Sequence, residues 1–140
     1  MEMAIYMGTK IKGGLIGQGK AVYVLEAKTS KGTVTDTKRL AKESTTANAM
    51  AIETALQALK RIKPGTQVTL YTTNKYLASA LNTWLKTWQQ SNYVTARGKP
   101  VKNGEKWREV AQILNTKGIR VAATTERSEG TSWIKGETAK

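Results

Sequence analysis

The fold is decided by the stretch from Gln67 to Gln90, which reads QVTLYTTNKYLASALNTWLKTWQQ. Its first six residues alternate apolar and polar side chains, with Val68 and Leu70 on one face, and this alternation is typical of a β-strand. From Asn74 onward the apolar residues keep the spacing of one helix face; they are Leu77, Leu81, Trp84, Leu85 and Trp88. The stretch therefore predicts a strand over 67–72 and a helix over 74–90.

Three strands are predicted before this stretch and one after it. The earlier strands cover residues 4–7, 21–27 and 33–40, which are rich in apolar, β-branched or alternating side chains. The first strand ends at Gly8, a glycine-dense turn over 13–19 follows it, and Lys31-Gly32 makes a hairpin turn before the third strand. These short connections favour an antiparallel meander. The last strand is predicted over residues 119–123.

Two further helices complete the pattern. Thr45 or Thr46 can cap the first, and the Pro-Gly pair at 64–65 ends it, because proline disfavours helical geometry in the residue before it. The second helix is predicted over 103–114. The tail over 124–140 is polar and contains two glycines, so no long helix is expected there.

The order of these elements predicts an α/β fold, a five-stranded mixed sheet flanked by helices. Three antiparallel strands come first and parallel crossovers follow. With 140 residues, the chain is expected to form a single domain over 1–140. A basic protrusion is predicted around residues 82–107, and the C-terminal helix is expected to be shortened.

The charge of the chain is strongly positive. Lys plus Arg number 23 and Asp plus Glu number 10, which gives a formal net charge of +13. Residues 54–104 contain eight positive and no negative side chains. A surface of one sign destabilises a fold unless a partner uses it, so the composition predicts a polyanionic partner, and nucleic acid is the commonest.

Several residue types are missing, and their absence excludes whole classes of site. The chain has no cysteine and no histidine, and Asp36 is its single aspartate. Disulfides, thiolate sites, a histidine base and a site built on two aspartates are therefore excluded. No apolar run is long enough to span a membrane, and no cofactor is predicted. We expect a cytoplasmic location, although the lack of cysteine is also compatible with export.

Three motifs together resemble type 1 ribonuclease H, and the fold class is accordingly expected to be ribonuclease H-like. The resemblance covers roughly residues 4–123. In bacterial members of the family, the most specific part of the resemblance corresponds to the fourth strand, the following helix and the basic protrusion that binds an RNA–DNA hybrid. The motifs are LYTTNKY (70–76), NTWLKTW (82–88) with YVTARGKPVKNGEKW (93–107), and TTANAM (45–50) at the start of the first helix.

The resemblance implies four carboxylates that hold two magnesium ions, and this chain lacks them. The corresponding positions are Gly8, Ala51 and Thr73, with the fourth near Gly136 or Glu137. We therefore predict that this chain has no metal site, does not hydrolyse a hybrid and is not an enzyme. Carboxylates restored at the first three positions are expected to converge again and to revive metal binding.

A relocated metal site is not expected either. Glu53 lies two residues past Ala51, about 200° around the helix, which turns it away from the family's site. We interpret Glu53 instead as a solvent-facing partner for nearby lysines.

The resemblance also implies nucleic-acid-binding residues, and most of them are present. Thr46, Asn48 and Asn103 occupy positions that hold a phosphate and the minor groove in the family, whereas the family's arginine before Met50 is Ala49 here. The predicted nucleic-acid contacts are Thr46, Asn48, Asn74, Lys86, Arg97, Lys99, Lys102 and Asn103. The tryptophans at 84, 88 and 107 keep helical spacing and are interpreted as the core beneath the protrusion rather than as base-stacking groups.

The leading hypothesis is a catalytically inactive ribonuclease H-like domain that binds duplex nucleic acid, an RNA–DNA hybrid or another duplex. Its contacts would be mainly to phosphate and ribose. One alternative is a protein-interaction or connection module that docks an acidic protein or a polymerase subunit. The other is a residual metal-dependent nuclease. No membrane partner is expected.

Overall fold

The computed structural model describes residues 1–126 and 129–139. Its five strands form one sheet in the order β3-β2-β1-β4-β5. Strand β1 pairs antiparallel with β2 and parallel with β4, β2 pairs antiparallel with β3, and β4 pairs parallel with β5. The predicted mixed sheet is confirmed, with β4 inside it. The strands are β1 (Glu2–Lys12), β2 (Gly17–Thr29), β3 (Gly32–Thr45), β4 (Gln67–Tyr71) and β5 (Arg120–Thr124).

The helical segments lie between and after these strands. The predicted helix over 74–90 forms, but a π-helical segment interrupts it at Ala80–Trp84. This segment turns Asn82 toward β5, where its amide accepts from the backbone N–H of Ala123 and donates to the carbonyl of the same residue, both at 2.8 Å. The regular helices are α1 (Ala47–Lys60), α2 (Lys75–Ser79), α3 (Leu85–Gln90), α4 (Gly104–Lys117) and α5 (Glu129–Ala139).

The first three strands are longer than predicted. Strand β1 does not end at Gly8 but continues to Lys12, and its register pairs Lys10 with Lys20 of β2. Strand β3 extends to Thr45, and nearly all of its residues are exposed. Apolar alternation marks only the part of a strand that helices cover, whereas backbone pairing in a hairpin continues beyond it.

The main core lies between the sheet and the helices α1 and α4. Helix α1 is buried along most of its length, and Met50, Ala51 and Leu56 are fully buried. A smaller cluster on the other face of the sheet contains Val22, Val24 and Ile134. Helices therefore cover both faces near β1.

The C-terminal tail, for which a shortened helix and no long one was expected, folds as α5 over eleven residues. Ile134 anchors the helix and is 4% exposed. Gly130 permits close packing, since a Cβ atom there would lie 2.3 Å from the Tyr6 ring. Burial of one apolar residue and a close glycine contact outweigh the weak helix propensity of the tail. Within the described residues, no helix is long and apolar enough to cross a membrane.

Candidate functional site

The sheet brings the ends of two predicted site segments together. Tyr6 of β1 pairs with Tyr71 of β4, so Gly8 and Thr73, two residues further along each chain segment, become neighbours. Both line one cavity of about 260 Å³, which we call the β1–β4 cavity. Its lining residues are Met7, Gly8, Thr9, Lys10, Thr72, Thr73, Ile134, Lys135 and Thr138.

Gly8 lies beneath helix α5. An ideal Cβ atom at Gly8 would lie 2.1 Å from Thr138 Oγ1 and 2.7 Å from Ile134 Cγ2. Real Cβ atoms essentially never approach other heavy atoms so closely. The packing of α5 on β1 therefore leaves no room for a side chain at position 8, where the resemblance places an aspartate.

The other two family positions lie elsewhere. Ala51 is fully buried in α1 and belongs to the main core, and it does not line the β1–β4 cavity. Glu137 reaches Arg39 of β3, with 2.5 Å between Oε2 and the guanidinium Nη2, and it lines a different cavity beside β2 and β3. The structure therefore brings Gly8 and Thr73 together, and the other two positions do not join them.

The donor groups of the β1–β4 cavity do not fit a pair of divalent cations. Magnesium prefers carboxylate and other oxygen ligands, whereas the charged residues among those that line this cavity are Lys10 and Lys135. Within residues 1–126 and 129–139, no three His, Cys, Asp or Glu side chains are grouped to hold a metal ion. No catalytic step through a metal is derived for these residues.

Glu53 is engaged in a structural ion pair. Its carboxylate Oε2 lies 3.0 Å from Lys106 Nζ, in an ion pair without the alignment of a hydrogen bond, and Oε1 accepts from Gln57 Nε2 at 2.9 Å. The sequence predicted a solvent-facing partner for a lysine. The lysine partner is present, but Glu53 is only 8% exposed. The pair ties the first turns of α4 to α1.

The Glu53 carboxylate has a perturbed pKa. Burial acts to raise this pKa, but the hydrogen bond from Gln57 and the ammonium of Lys106 lower it by more, so it lies below its ordinary value of 4.5. A lowered pKa in the folded state means that the carboxylate stabilises the fold above about pH 4.5 and that this stabilisation is lost as the pH falls through the folded-state pKa.

We expect Lys106→Met to lower the free energy of unfolding by about 1–2 kcal/mol at pH 7, because it leaves a buried carboxylate without its cation. The loss should shrink at a second, more acidic pH, as the pH falls through the folded-state pKa of Glu53, which lies below 4.5. Urea unfolding at the two pH values measures it, with Lys86→Met as the exposed control. An equal loss at both pH values would contradict the assignment of this ion pair.

The predicted polar contacts at the helix starts form a small connected group. Thr46 is the N-cap of α1, and its hydroxyl accepts from the backbone N–H of Ala49 at 3.1 Å. Asn74 is the N-cap of α2, and its side-chain nitrogen donates to Asn48 Oδ1 at 3.1 Å. Asn48 is exposed. The start of α1 and the end of β4 are thus joined through two side-chain amides.

The predicted basic protrusion is an ordered loop. Its centre is a small hairpin in which the Thr95 N–H donates to the Lys99 carbonyl at 2.7 Å, next to an isolated bridge between Val94 and Pro100. Asn103 precedes α4 in a left-handed conformation, with φ of 61°, and makes no side-chain cap hydrogen bond. The four predicted cations are all exposed: Lys86, Arg97, Lys99 and Lys102.

An aromatic cluster supports the base of this protrusion, and it agrees with the core interpretation for Trp107 and Trp88 but not for Trp84. Trp107 is fully buried, and its indole N–H donates to the Tyr76 hydroxyl at 3.0 Å. Its ring lies 5.7 Å from that of Trp88, which is partly buried in the same core. Trp84 lies at the margin of the cluster and is 42% exposed.

Sequence reasoning did not bring Lys10 and Lys135 together in one cavity. Lys10 was placed beyond the end of β1, and Lys135 lies in the tail that was expected to hold no long helix. Because Gly8 and Lys10 are two residues apart, a strand that continues past Gly8 puts them on one face. The two-residue repeat of a β-strand would therefore have placed Lys10 on the same face as Gly8 if the full length of β1 had been predicted.

Known proteins resemble this chain in sequence and in structure. A Ribonuclease H of Francisella philomiragia is 33% identical over 96 residues, which are 69% of this chain and 57% of that protein. The chain thus spans little more than half the length of this curated relative. LC9-RNase H1, a type 1 RNase H with the type 2 active-site motif, matches with a TM-score of 0.77 at 18% identity, covering 97% of this chain and 69% of its own.

A foamy viral protease-reverse transcriptase in complex with RNA/DNA hybrid has a similar region. It matches with a TM-score of 0.75 at 19% identity, covering 95% of this chain and 18% of the viral chain. At such identities the two structural matches establish the fold.

The prediction of a catalytically inactive, non-enzymatic domain is wrong by these comparisons. The curated relative is named Ribonuclease H, and this name supports an active nuclease. The alternative of an inert connection module is withdrawn on the same ground. The residues at Gly8, Ala51 and Thr73 are not carboxylates, but their identity does not by itself establish inactivity.

The family itself follows from a match over most of the chain. The RNase H family model matches residues 7–125, from the middle of β1 to the end of β5. The sheet order, the parallel pairing of β1 with β4, and the helices on both faces agree with the RNase H structures that match it. The chain therefore belongs to the RNase H family and has its type 1 fold.

Proposed function

We propose that this chain acts on an RNA–DNA hybrid as a ribonuclease of its family. The name of its curated relative supports the cleavage of RNA, and the hybrid bound to the foamy viral neighbour supports nucleic acid as the partner. Because the residues of the β1–β4 cavity do not fit a pair of magnesium ions, binding and cleavage are separate parts of the proposal and are measured separately.

The observation that carries hybrid recognition is the exposed cationic protrusion that leads into α4. Arg97 and Lys99 lie at the tip of its small hairpin, and Lys102 lies near its base. The ion pair between Lys106 and Glu53 links the start of α4, which follows the protrusion, to α1. A duplex that rests on Thr46, Asn48 and Asn74 would therefore place a neighbouring part of its backbone along the protrusion.

The chemistry of these groups suits recognition of backbone rather than of base sequence. Lysine and arginine neutralise phosphates and release counterions, whereas threonine and asparagine donate to phosphate, ribose or groove edges without changing the charge. A-form-like duplexes present their 2′-hydroxyls in a wide, shallow minor groove. Little sequence preference is expected from such contacts.

The deciding experiment compares a labelled RNA–DNA hybrid with double-stranded DNA, double-stranded RNA and the single strands. Binding is measured by titration at several salt concentrations, and the RNA strand is followed for cleavage with magnesium or manganese. We expect the hybrid to bind most tightly and its RNA strand to be cut. A bound hybrid whose RNA stays intact would overturn the nuclease, and absence of hybrid binding at low salt would overturn the whole proposal.

Neutralising the protrusion should change the salt dependence of binding. We expect the triple variant Arg97→Gln, Lys99→Gln, Lys102→Gln to lower the slope of log affinity against log salt by up to about 3, since each lost phosphate contact removes about one unit. The control removes the same charge from the β2–β3 hairpin by Lys28→Gln, Lys31→Gln and Lys38→Gln, all exposed residues. Equal slopes for the two triple variants would refute the protrusion as the binding surface.

The neutral contacts should behave differently. Asn103→Gly is expected to weaken binding with little change in the salt slope, because a neutral side chain releases no counterions. Glycine tolerates the left-handed backbone at this position, and the side chain makes no cap hydrogen bond, so the fold should be unaffected. Unchanged hybrid affinity in this variant would remove Asn103 from the interface.

The cellular location and a protein partner, both predicted from the sequence, stay proposals. A cytoplasmic location is proposed from the composition, and an acidic protein or polymerase subunit stays a predicted second partner. Neither is needed for hybrid recognition. Co-purification of a defined acidic protein free of nucleic acid would support the second partner.

A further inference from the structure

We propose that the β1–β4 cavity binds a phosphate group directly, through lysine ammonium and threonine hydroxyl groups and without a metal ion. The ligand class is a phosphate oxyanion, which is supplied either free or by a nucleic-acid backbone. For the backbone source, the inference rests on the proposed function. For the free anion it stands alone.

The charge of the cavity favours an anion. Lys10 of β1 and Lys135 of α5 contribute its charged groups, and no Asp or Glu lines it. Among the side chains that the structure describes, at residues 1–126, 130 and 132–138, neither ammonium has a carboxylate oxygen within 4.0 Å. Two lysines from separate elements that share one cavity without acidic neighbours provide a positive field, and a bound anion would relieve their mutual repulsion.

Hydroxyl groups complete the donor set. Thr72 is 4% exposed, and its Oγ1 accepts from the backbone N–H of Asn74 at 3.0 Å. In the described part of the chain the Thr72 hydroxyl donates no hydrogen bond of its own, and we infer that it can donate to a ligand. Thr9 and Thr73 line the same cavity, whereas the Thr138 hydroxyl already donates to the Ile134 carbonyl at 2.7 Å.

The size of the cavity is also sufficient. A single water molecule needs roughly 10–15 Å³ of cavity volume. The β1–β4 cavity, at about 260 Å³, has room for a tetrahedral anion together with several waters.

The charged residues of the β1–β4 cavity are positive, whereas a site of clustered carboxylates is negative. Carboxylates need divalent cations before a phosphate can approach, whereas ammonium groups and hydroxyls bind phosphate oxygens directly through charge-assisted hydrogen bonds. We therefore expect phosphate binding that does not depend on magnesium.

The experiment titrates the full chain with inorganic phosphate and follows the melting temperature and backbone amide chemical shifts. Sodium chloride at matched ionic strength is the control. Phosphate should raise the melting temperature and shift amides of residues 7–10, 72–73 and 134–138, with and without magnesium. No effect beyond that of chloride, or an effect that requires magnesium, would overturn the inference.

Two double variants locate the site. Lys10→Met with Lys135→Met should raise the phosphate Kd roughly tenfold or more, since it removes both positive charges that line the cavity. Lys28→Met with Lys31→Met, both exposed on the β2–β3 hairpin, removes the same charge elsewhere and should leave the Kd unchanged. Equal weakening by both pairs would show a non-specific charge effect and contradict the site.

The source of the phosphate is tested by competition. Inorganic phosphate should displace a bound hybrid if the backbone occupies the cavity, and the lysine pair variant should lose this competition. Phosphate binding in the absence of hybrid binding would remove the proposed function and keep this site. Hybrid binding without phosphate binding would remove this site and keep the proposed function.

Discussion

Trp107→Ala should lower the free energy of unfolding by about 3–5 kcal/mol, which is the usual cost of deleting a fully buried tryptophan. Trp107 is 0% exposed and packs between Tyr76 and Trp88. The substitution also leaves the Tyr76 hydroxyl without the indole N–H that now donates to it. The loss would include the support beneath the basic protrusion.

Urea denaturation monitored by far-ultraviolet circular dichroism measures this loss. Trp133→Ala is the matched control, because Trp133 lies on α5 and is 47% exposed, so its removal should cost less than about 1 kcal/mol. Hybrid affinity should fall in the Trp107 variant even where it stays folded. A cost below about 1 kcal/mol for Trp107→Ala would contradict its role in the core.

Gly8→Asp should destabilise the protein by about 3 kcal/mol or more, because it forces a charged side chain into space that α5 already fills. The clash involves Thr138 Oγ1 and Ile134 Cγ2. Adding Thr138→Ala should recover part of the loss, since it removes the nearer of the two contacts. Thermal unfolding of the single and double variants measures both effects.

Gly136→Ala provides the control for a glycine with free space around it. Apart from its chain neighbours and the nearby backbone of α5, no described atom lies within 4 Å of a Cβ built at Gly136, so alanine should stabilise the helix by about 0.5–1 kcal/mol. Wild-type stability in Gly8→Asp would show that α5 does not press on β1 as described.

The expectation that restored carboxylates would converge is corrected by the same packing. Position 8 has no space for a side chain, and Ala51 is fully buried in the main core. Only Thr73, which is exposed at the end of β4, could accept a carboxylate without rearrangement. Carboxylates at these three positions would therefore disturb the core before they could share a cation.

The sequence predicted the central part of the fold because periodicity and local signals agreed there. Val68 and Leu70 alternate in a strand that is buried in the sheet, and the helix after Asn74 begins with a cap at that residue. The first helix likewise starts after its predicted cap, Thr46. Such elements depend on neighbouring residues and are visible without the tertiary structure.

The features that were missed depend on contacts between distant residues. Helix α5 is held by Ile134 against Val22 and Val24, a contact that spans over a hundred residues of chain. Lys10 and Lys135 line one cavity only because α5 packs on β1. The hydrogen bond between Asn82 and Ala123 depends on a π-helical turn, which the spacing of apolar residues does not predict. Candidate site residues near helix caps could be predicted, whereas the cavity chemistry could not.

The contact between Asn82 and Ala123 has a consequence for self-association. Strand β5 is one border of the sheet, and the Asn82 amide occupies both backbone groups of Ala123 there, as an adjoining strand would. Growth of the sheet by strand addition is thereby hindered at this border. The opposite border, β3, is long and exposed but carries lysine and arginine side chains, including Lys38 and Lys42, that repel a second copy. Edge-to-edge aggregation is thus opposed at β5 by the Asn82 amide, which is bonded to the strand, and at β3 by repulsion between like charges.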